Sequence, residues 1–165
     1  MTKHDRYQTD ILGEDYQQAR LNFPDDYEGQ VTATLVRKKA NTPTQKAVLY
    51  IHGFIDYFFQ TEMAEQFNQH GFDFYALDLR KYGRSHLPYQ QFYNVRELTE
   101  YDAEITEALA MIAQEGHDAV LLSGHSTGGL ITTLYAAHHP NHALIKALWV
   151  NSPFYDFNMH PIKKK

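Results

Sequence analysis

The sequence predicts an α/β fold, a three-layer sandwich with helices on both faces of a mainly parallel sheet. Three observations predict it. Short apolar runs alternate with segments of helical spacing, the pattern of βαβ units. The runs Ala47-Val48-Leu49-Tyr50-Ile51 and Ala119-Val120-Leu121-Leu122 are continuous, as expected of strands covered on both faces. Gly124-His125-Ser126-Thr127-Gly128 follows the second run and precedes the helix-like stretch from Leu130 to Ala137, the setting of a sharp strand-to-helix turn. Right-handed crossovers then distribute the helices over the two faces.

The elements follow in order. Residues 1–15 are polar and expected to be loosely held. Gln30 to Arg37 alternates with period two, as a half-buried strand does, and Ala19 to Phe23 is placed to pair with it through a turn at Pro24-Asp25-Asp26. After the strand ending at Ile51, Phe59, Met63 and Phe67 recur at helical spacing, and Gly71 ends that helix. Phe72 to Leu77 reads as the next strand. Leu98, Tyr101, Ile105, Leu109 and Ile112 mark one face of a longer helix, with capping-box-like spacing from Thr99 to Asp102 and Gly116 at its end. The helix after the serine stops before Pro140, and Ala147 to Val150 is the last strand.

Bulk properties narrow the class. The 165 residues are 43% hydrophobic, which fits one globular domain. A net charge of −5, with no basic run before Lys163-Lys164-Lys165, argues against a nucleic-acid partner. Without cysteine there is neither a disulfide nor a thiolate metal site, and no residue pattern calls for a metal or cofactor. The first residues lack the apolar stretch of a signal peptide, and no apolar run approaches the ~18 residues of a membrane helix. The expectation is a soluble, cytoplasmic protein with no integral membrane segment.

Three loops converge at the carboxyl ends of the strands, where open α/β sheets carry their sites. In the first, His52-Gly53-Phe54-Ile55-Asp56-Tyr57, Gly53 allows a turn that aims the Phe54 amide at the site. With the Thr127 amide it makes a pair of donors suited to a developing oxyanion. His52, Gly53, Tyr57 and His125 are candidate substrate contacts, His125 lining the pocket or packing beneath the turn. In the second, Asp78 to Ser85, either the charges brace the edge by pairing with one another or the segment is a solvated turn. In the third, flanking glycines hold the Ser126 hydroxyl clear of the backbone, the geometry of a nucleophile.

The order of strand, His52-Gly53-Phe54, strand, Asp78 to Ser85, helix, strand and Gly124-His125-Ser126-Thr127-Gly128-Gly129 resembles the α/β-hydrolase fold. It is most similar to the monoacylglycerol lipase, lysophospholipase and serine aminopeptidase-like branch, over roughly residues 20–155. Lys81 stands where that branch usually has glycine. The resemblance implies a hydrolase of carboxylic esters or related acyl bonds. Ser126 is its nucleophile, Phe54 and Thr127 its oxyanion donors, and a small acyl ester its substrate.

The resemblance also implies a chain order of serine, then acid, then histidine. Residues 127–165 hold Asp156 and His160 in that order, but too close together for two separate loops, and His138, His139 and His142 lie too far along the helix. The chain is therefore expected to be a partial hydrolase domain, without the cap and last strands and nearly inactive alone. Its last strand would be bare and prone to self-association. The alternative is a degenerate, non-catalytic hydrolase fold kept for ligand binding or association.

Overall fold

The chain first builds an antiparallel meander and then a parallel array. The computed structural model describes residues 6–156. β1 (Gln8–Asp10), β2 (Gly13–Asp26) and β3 (Gly29–Lys38) pair antiparallel in sequence. β4 (Lys46–Ile51) leads through α1 (Thr61–Gln69) to β5 (Asp73–Asp78). A 3₁₀ turn at Leu98–Tyr101 runs into α2 (Asp102–Gln114), followed by β6 (Ala119–His125), α3 (Thr127–His138) and β7 (Ile145–Asn151). The sheet order is β1-β2-β3-β5-β4-β6-β7. Parallel pairing, as the apolar runs predict, covers β5-β4-β6-β7, while β3 meets β5 antiparallel.

Side-chain alternation sorts the core into two layers. Ala47, Leu49 and Ile51 of β4 and Tyr75 and Leu77 of β5 face α2 and α3, meeting Ile105, Leu109, Ile131 and Tyr135. Val48, Tyr50, Phe74 and Ala76 face α1, where Ala64, Met63 and Phe67 cover them. This is the three-layer arrangement expected. β7 differs from the central strands: Leu148 and Trp149, on opposite faces, are 41% and 45% exposed. It closes the sheet as a bare edge among the described residues.

Three expectations need correction. Residues 8–15 are not loosely held: Gln8 and Thr9 pair with Gln18 and Gln17, and Asp10 is buried. Their polar side chains reflect an antiparallel strand with a wet face, which needs no apolar run. Residues 1–5 lie outside the described residues. The capping box is made by Glu97 and Glu100, not Thr99 and Asp102, because the chain already turns as a 3₁₀ helix from Leu98. The turn expected at Pro24-Asp25-Asp26 lies instead at Tyr27-Glu28, because those three residues still belong to β2; Pro24 is accommodated at its register shift between Phe23 and Asp26, where a missing N–H costs no ladder bond.

At the base of the sheet, far from Ser126, Glu115 gathers donors from four side chains. Arg37 (2.7 Å), Tyr7 (2.7 Å), Tyr75 (2.6 Å) and Lys39 (3.0 Å) all reach it. Burial acts to raise the Glu115 pKa, but these donors outweigh it and hold the carboxyl below its ordinary value. A depressed folded pKa means that the native state binds fewer protons than the unfolded chain. Its stabilisation is complete above the unfolded value of 4.5 and disappears as pH falls through the folded pKa. Urea midpoints measured from about pH 6 down to about pH 3 are expected to fall, with a shallower fall for Glu115→Gln.

Lys81 shows a second polar brace. It takes a left-handed conformation (φ 63), which explains why glycine suits this position in similar chains. Its fully buried ammonium lies 2.7 Å from Asp26, 2.5 Å from Glu28 and 2.9 Å from the Asn94 carbonyl. Burial alone would lower the lysine pKa; the two carboxylates reverse this and raise it. Lys81→Met keeps the stem but leaves both carboxylates facing a methyl group. It is expected to lower the thermal midpoint by several degrees, read by circular dichroism.

Candidate active site

β6 ends where α3 begins, and Ser126 sits between them with φ 52 and ψ −120. Non-glycine residues hold this conformation only when their surroundings over-determine it. The glycines make that enclosure possible. A Cβ on Gly124 would stand 2.3 Å from the Gly128 carbonyl oxygen, and one on Gly128 would stand 2.3 Å from the Ile51 oxygen. The first turn of α3 thus lies directly on the end of β4. Gly53 completes the approach: a Cβ there would stand 3.3 Å from the Ser126 Cβ.

The loop after β4 is set by His52. This side chain is buried against Tyr82, with ring centres 4.6 Å apart. Its Nδ1 donates to the Gly53 carbonyl at 2.8 Å and its Nε2 accepts the Leu79 N–H at 3.1 Å. Burial pushes its pKa below the ordinary histidine value, against the opposing pull of Asp78, so the neutral ring matches its bonding. The expectation that His52 contacts substrate is therefore corrected: it is enclosed and both nitrogens are engaged. A trans peptide carries its N–H opposite its C=O, so with Gly53 oxygen drawn to the ring, the Phe54 N–H points away from it. Outside helices and strands, neither the Phe54 nor the Thr127 N–H has a backbone partner among the described residues.

The other candidates separate. The Phe54 ring is 56% exposed and meets Tyr93 edge-on. Tyr57 packs on Gly83 and under the Arg84 guanidinium, with part of its ring still exposed. His125 lines a cavity of about 320 Å³ on the α1 face with Tyr50, Met63, Ser123 and Trp149. The charged loop braces the edge, but apart from Arg84–Asp78 its partners lie outside the loop. Arg84 grips Asp10 through Nε and Nη2 (2.7 and 2.8 Å) and Asp78 through Nη1 (2.8 Å), while Arg80 bonds Glu104. The partners in β1 and α2 carry no local sequence signal.

Histidine–carboxylate pairs occur elsewhere. His138 bonds Asp102 at 2.9 Å at the far end of α3, about 18 Å along the helix from Ser126. His117 bonds Asp73 at 2.9 Å at the opposite end of the parallel strands. His160 lies outside the described residues. No group of three metal-ligating side chains occurs among the described residues, and no helix there is long and apolar enough to cross a membrane.

The family model described as serine aminopeptidase, S33 (Hydrolase_4) matches residues 42–165. The chain belongs to this family. No curated protein matches it in sequence. Among solved structures, this S33-family chain is similar to a carboxyl esterase from Bacillus coagulans at 19% identity and TM-score 0.66, covering 81% of this chain and 43% of that one. A soluble variant of monoglyceride lipase from Saccharomyces cerevisiae matches at 20% identity and TM-score 0.65, over 87% and 47%. A probable hydrolytic enzyme from Pseudomonas aeruginosa matches at 19% identity and TM-score 0.64, over 82% and 41%. These likenesses show the α/β-hydrolase fold. The S33-family chain spans less than half the length of each of these three.

Proposed function

We propose that this chain carries the nucleophile and oxyanion half of a serine hydrolase acting on carboxylic esters or related acyl bonds of small molecules. The observation that carries this reading is the strained backbone of Ser126 at the β6–α3 turn, enclosed by Gly124 and Gly128 and approached by Gly53. In the proposed reaction the Ser126 oxygen attacks the acyl carbonyl, its proton passing to a base. Charge on the carbonyl oxygen is met by the N–H groups of Phe54 and Thr127. Collapse of that intermediate expels the alcohol and leaves an acyl-serine for water to cleave. The acid and base are assigned to neither pair described above, since both lie far from the serine. A serine without a base is a poor nucleophile, so we expect this chain alone to retain only the residual ~10³–10⁴-fold catalysis of binding and oxyanion stabilisation. The bare β7 edge is proposed to support self-association, checked by sedimentation over a concentration series; a monomer at all concentrations removes that part.

The experiment is labelling with a fluorophosphonate probe, on this chain, on any longer natural form and on their Ser126→Ala variants. The longer form is expected to label rapidly, this chain much more slowly, and the alanine variants not at all. Equal labelling with and without Ser126 removes the nucleophile assignment. Absence of Ser126-dependent labelling in every form favours a non-catalytic fold.

A further inference from the structure

The chain leaving β7 turns back over Ser126 and grips it on both sides. The Ser126 N–H donates to the Asn151 carbonyl at 3.1 Å. The Ser126 carbonyl accepts from Phe154 N–H at 3.0 Å and from Gly129 N–H at 2.9 Å. Between these bonds Ser152 takes a left-handed conformation (φ 46) that reverses the chain. Pro153 then leans on α3 so closely that a Cβ at Gly129 would stand 2.8 Å from the proline Cβ. The hydroxyls of Tyr155 and Thr133, one helical turn further along, are 3.2 Å apart.

We propose that residues 151–155 form a positioning hook for the acylation site, an inference that rests on the reading of Ser126 as nucleophile. Two peptide planes flank residue 126, and together they define its φ and ψ. Asn151 holds the first through the Ser126 N–H; Phe154 and Gly129 hold the second through the Ser126 C=O. That second plane also carries the Thr127 N–H, which must point opposite to the pinned carbonyl. The backbone donor at position 154, together with the Gly129 N–H, thus orients both the serine and one of the two proposed oxyanion donors. Whatever displaces the chain after Tyr155 pulls on the same hook, so the geometry couples the strand exit to reactivity at Ser126.

Two substitutions at Ser152 test this without touching the site. Ser152→Gly keeps the left-handed turn. Ser152→Pro forces φ to about −65° and opens the hook, while the extended Asn151 before it tolerates proline. On the full natural chain, Ser152→Pro is expected to lower the maximal labelling rate by about tenfold or more, with the half-saturating probe concentration unchanged. Ser152→Gly is expected to label like wild type. Amide hydrogen exchange at Ser126 and Gly129 should rise in the proline variant alone. A proline variant that labels at the wild-type maximal rate overturns the hook, and so does unchanged exchange at Ser126. Undiminished labelling of Ser126→Ala instead removes the nucleophile reading, and exchange at Ser126 still decides whether the hook holds the turn.

Discussion

Gly128→Ala is expected to yield no stably folded protein. The added methyl would sit 2.3 Å from the Ile51 oxygen, 2.4 Å from the His52 oxygen and 2.9 Å from the Ile51 carbonyl carbon. All three are backbone atoms of the central strand β4 and the residue after it, so no side chain can swing aside. Relief requires the first turn of α3 to lift from the sheet. That would also strip the packing of Ile131 and Tyr135 from the core and break the Ser126 N–H bond to Asn151. A loss above about 4 kcal/mol is expected, enough to remove most of the stability of a domain this size. Gly71→Ala is the control. Gly71 has a left-handed φ of 78, but a Cβ there would meet nothing within 4 Å, so only conformational strain, about 1–2 kcal/mol, is added. Soluble yield and thermal unfolding of the two variants separate the effects: a Gly128→Ala protein that melts like Gly71→Ala would mean that α3 is not seated on β4 as described.

The same contrast shows what the sequence makes legible. β4, β5 and β6 are visible as apolar runs because both faces of a central parallel strand are dry. The β6–α3 turn is visible because close backbone packing demands glycine at 124 and 128, and the demand leaves its mark in the letters. β1 and the start of β2 leave no such mark, since an antiparallel strand with a wet face is built from polar residues. Lys81 reads as a surface charge until Asp26 and Glu28, contributed by the β2–β3 turn, are seen to enclose it. The left-handed Ser152 precedes Pro153, which is lodged on Gly129 in a contact between β7's exit and α3. His52 beside a glycine looks like a substrate contact; Tyr82 and the Leu79 N–H show it to be enclosed. Local patterns thus reveal positions that the backbone constrains, whereas positions constrained by distant side chains stay silent.

If Ser126 is the nucleophile as proposed, His52→Leu is expected to slow its acylation by about 10²–10³-fold, the loss that follows when one of the two proposed oxyanion donors is misplaced. The imidazole is buried with both nitrogens engaged, so the expected effect passes through one peptide plane. With Nδ1 removed, the Gly53 carbonyl has lost its buried donor and the plane can rotate. The Phe54 N–H, anti to that carbonyl, rotates with it. Leucine fills the space against Tyr82, but the Leu79 N–H loses its acceptor as well, so stability also falls, by about 1–3 kcal/mol for each unsatisfied buried group. Two variants disentangle the terms. Asparagine places an amide donor near the Nδ1 position and should recover acylation without recovering the Leu79 bond. Glutamine reaches toward the Nε2 position and should recover stability without acylation. Maximal labelling rates, taken well below each variant's melting temperature, are expected to rank wild type, His52→Asn, His52→Gln and His52→Leu in falling order. If asparagine and glutamine label alike, the Gly53 carbonyl is not what aims the Phe54 amide, and the donor must be held by the edge-on contact of its own ring with Tyr93.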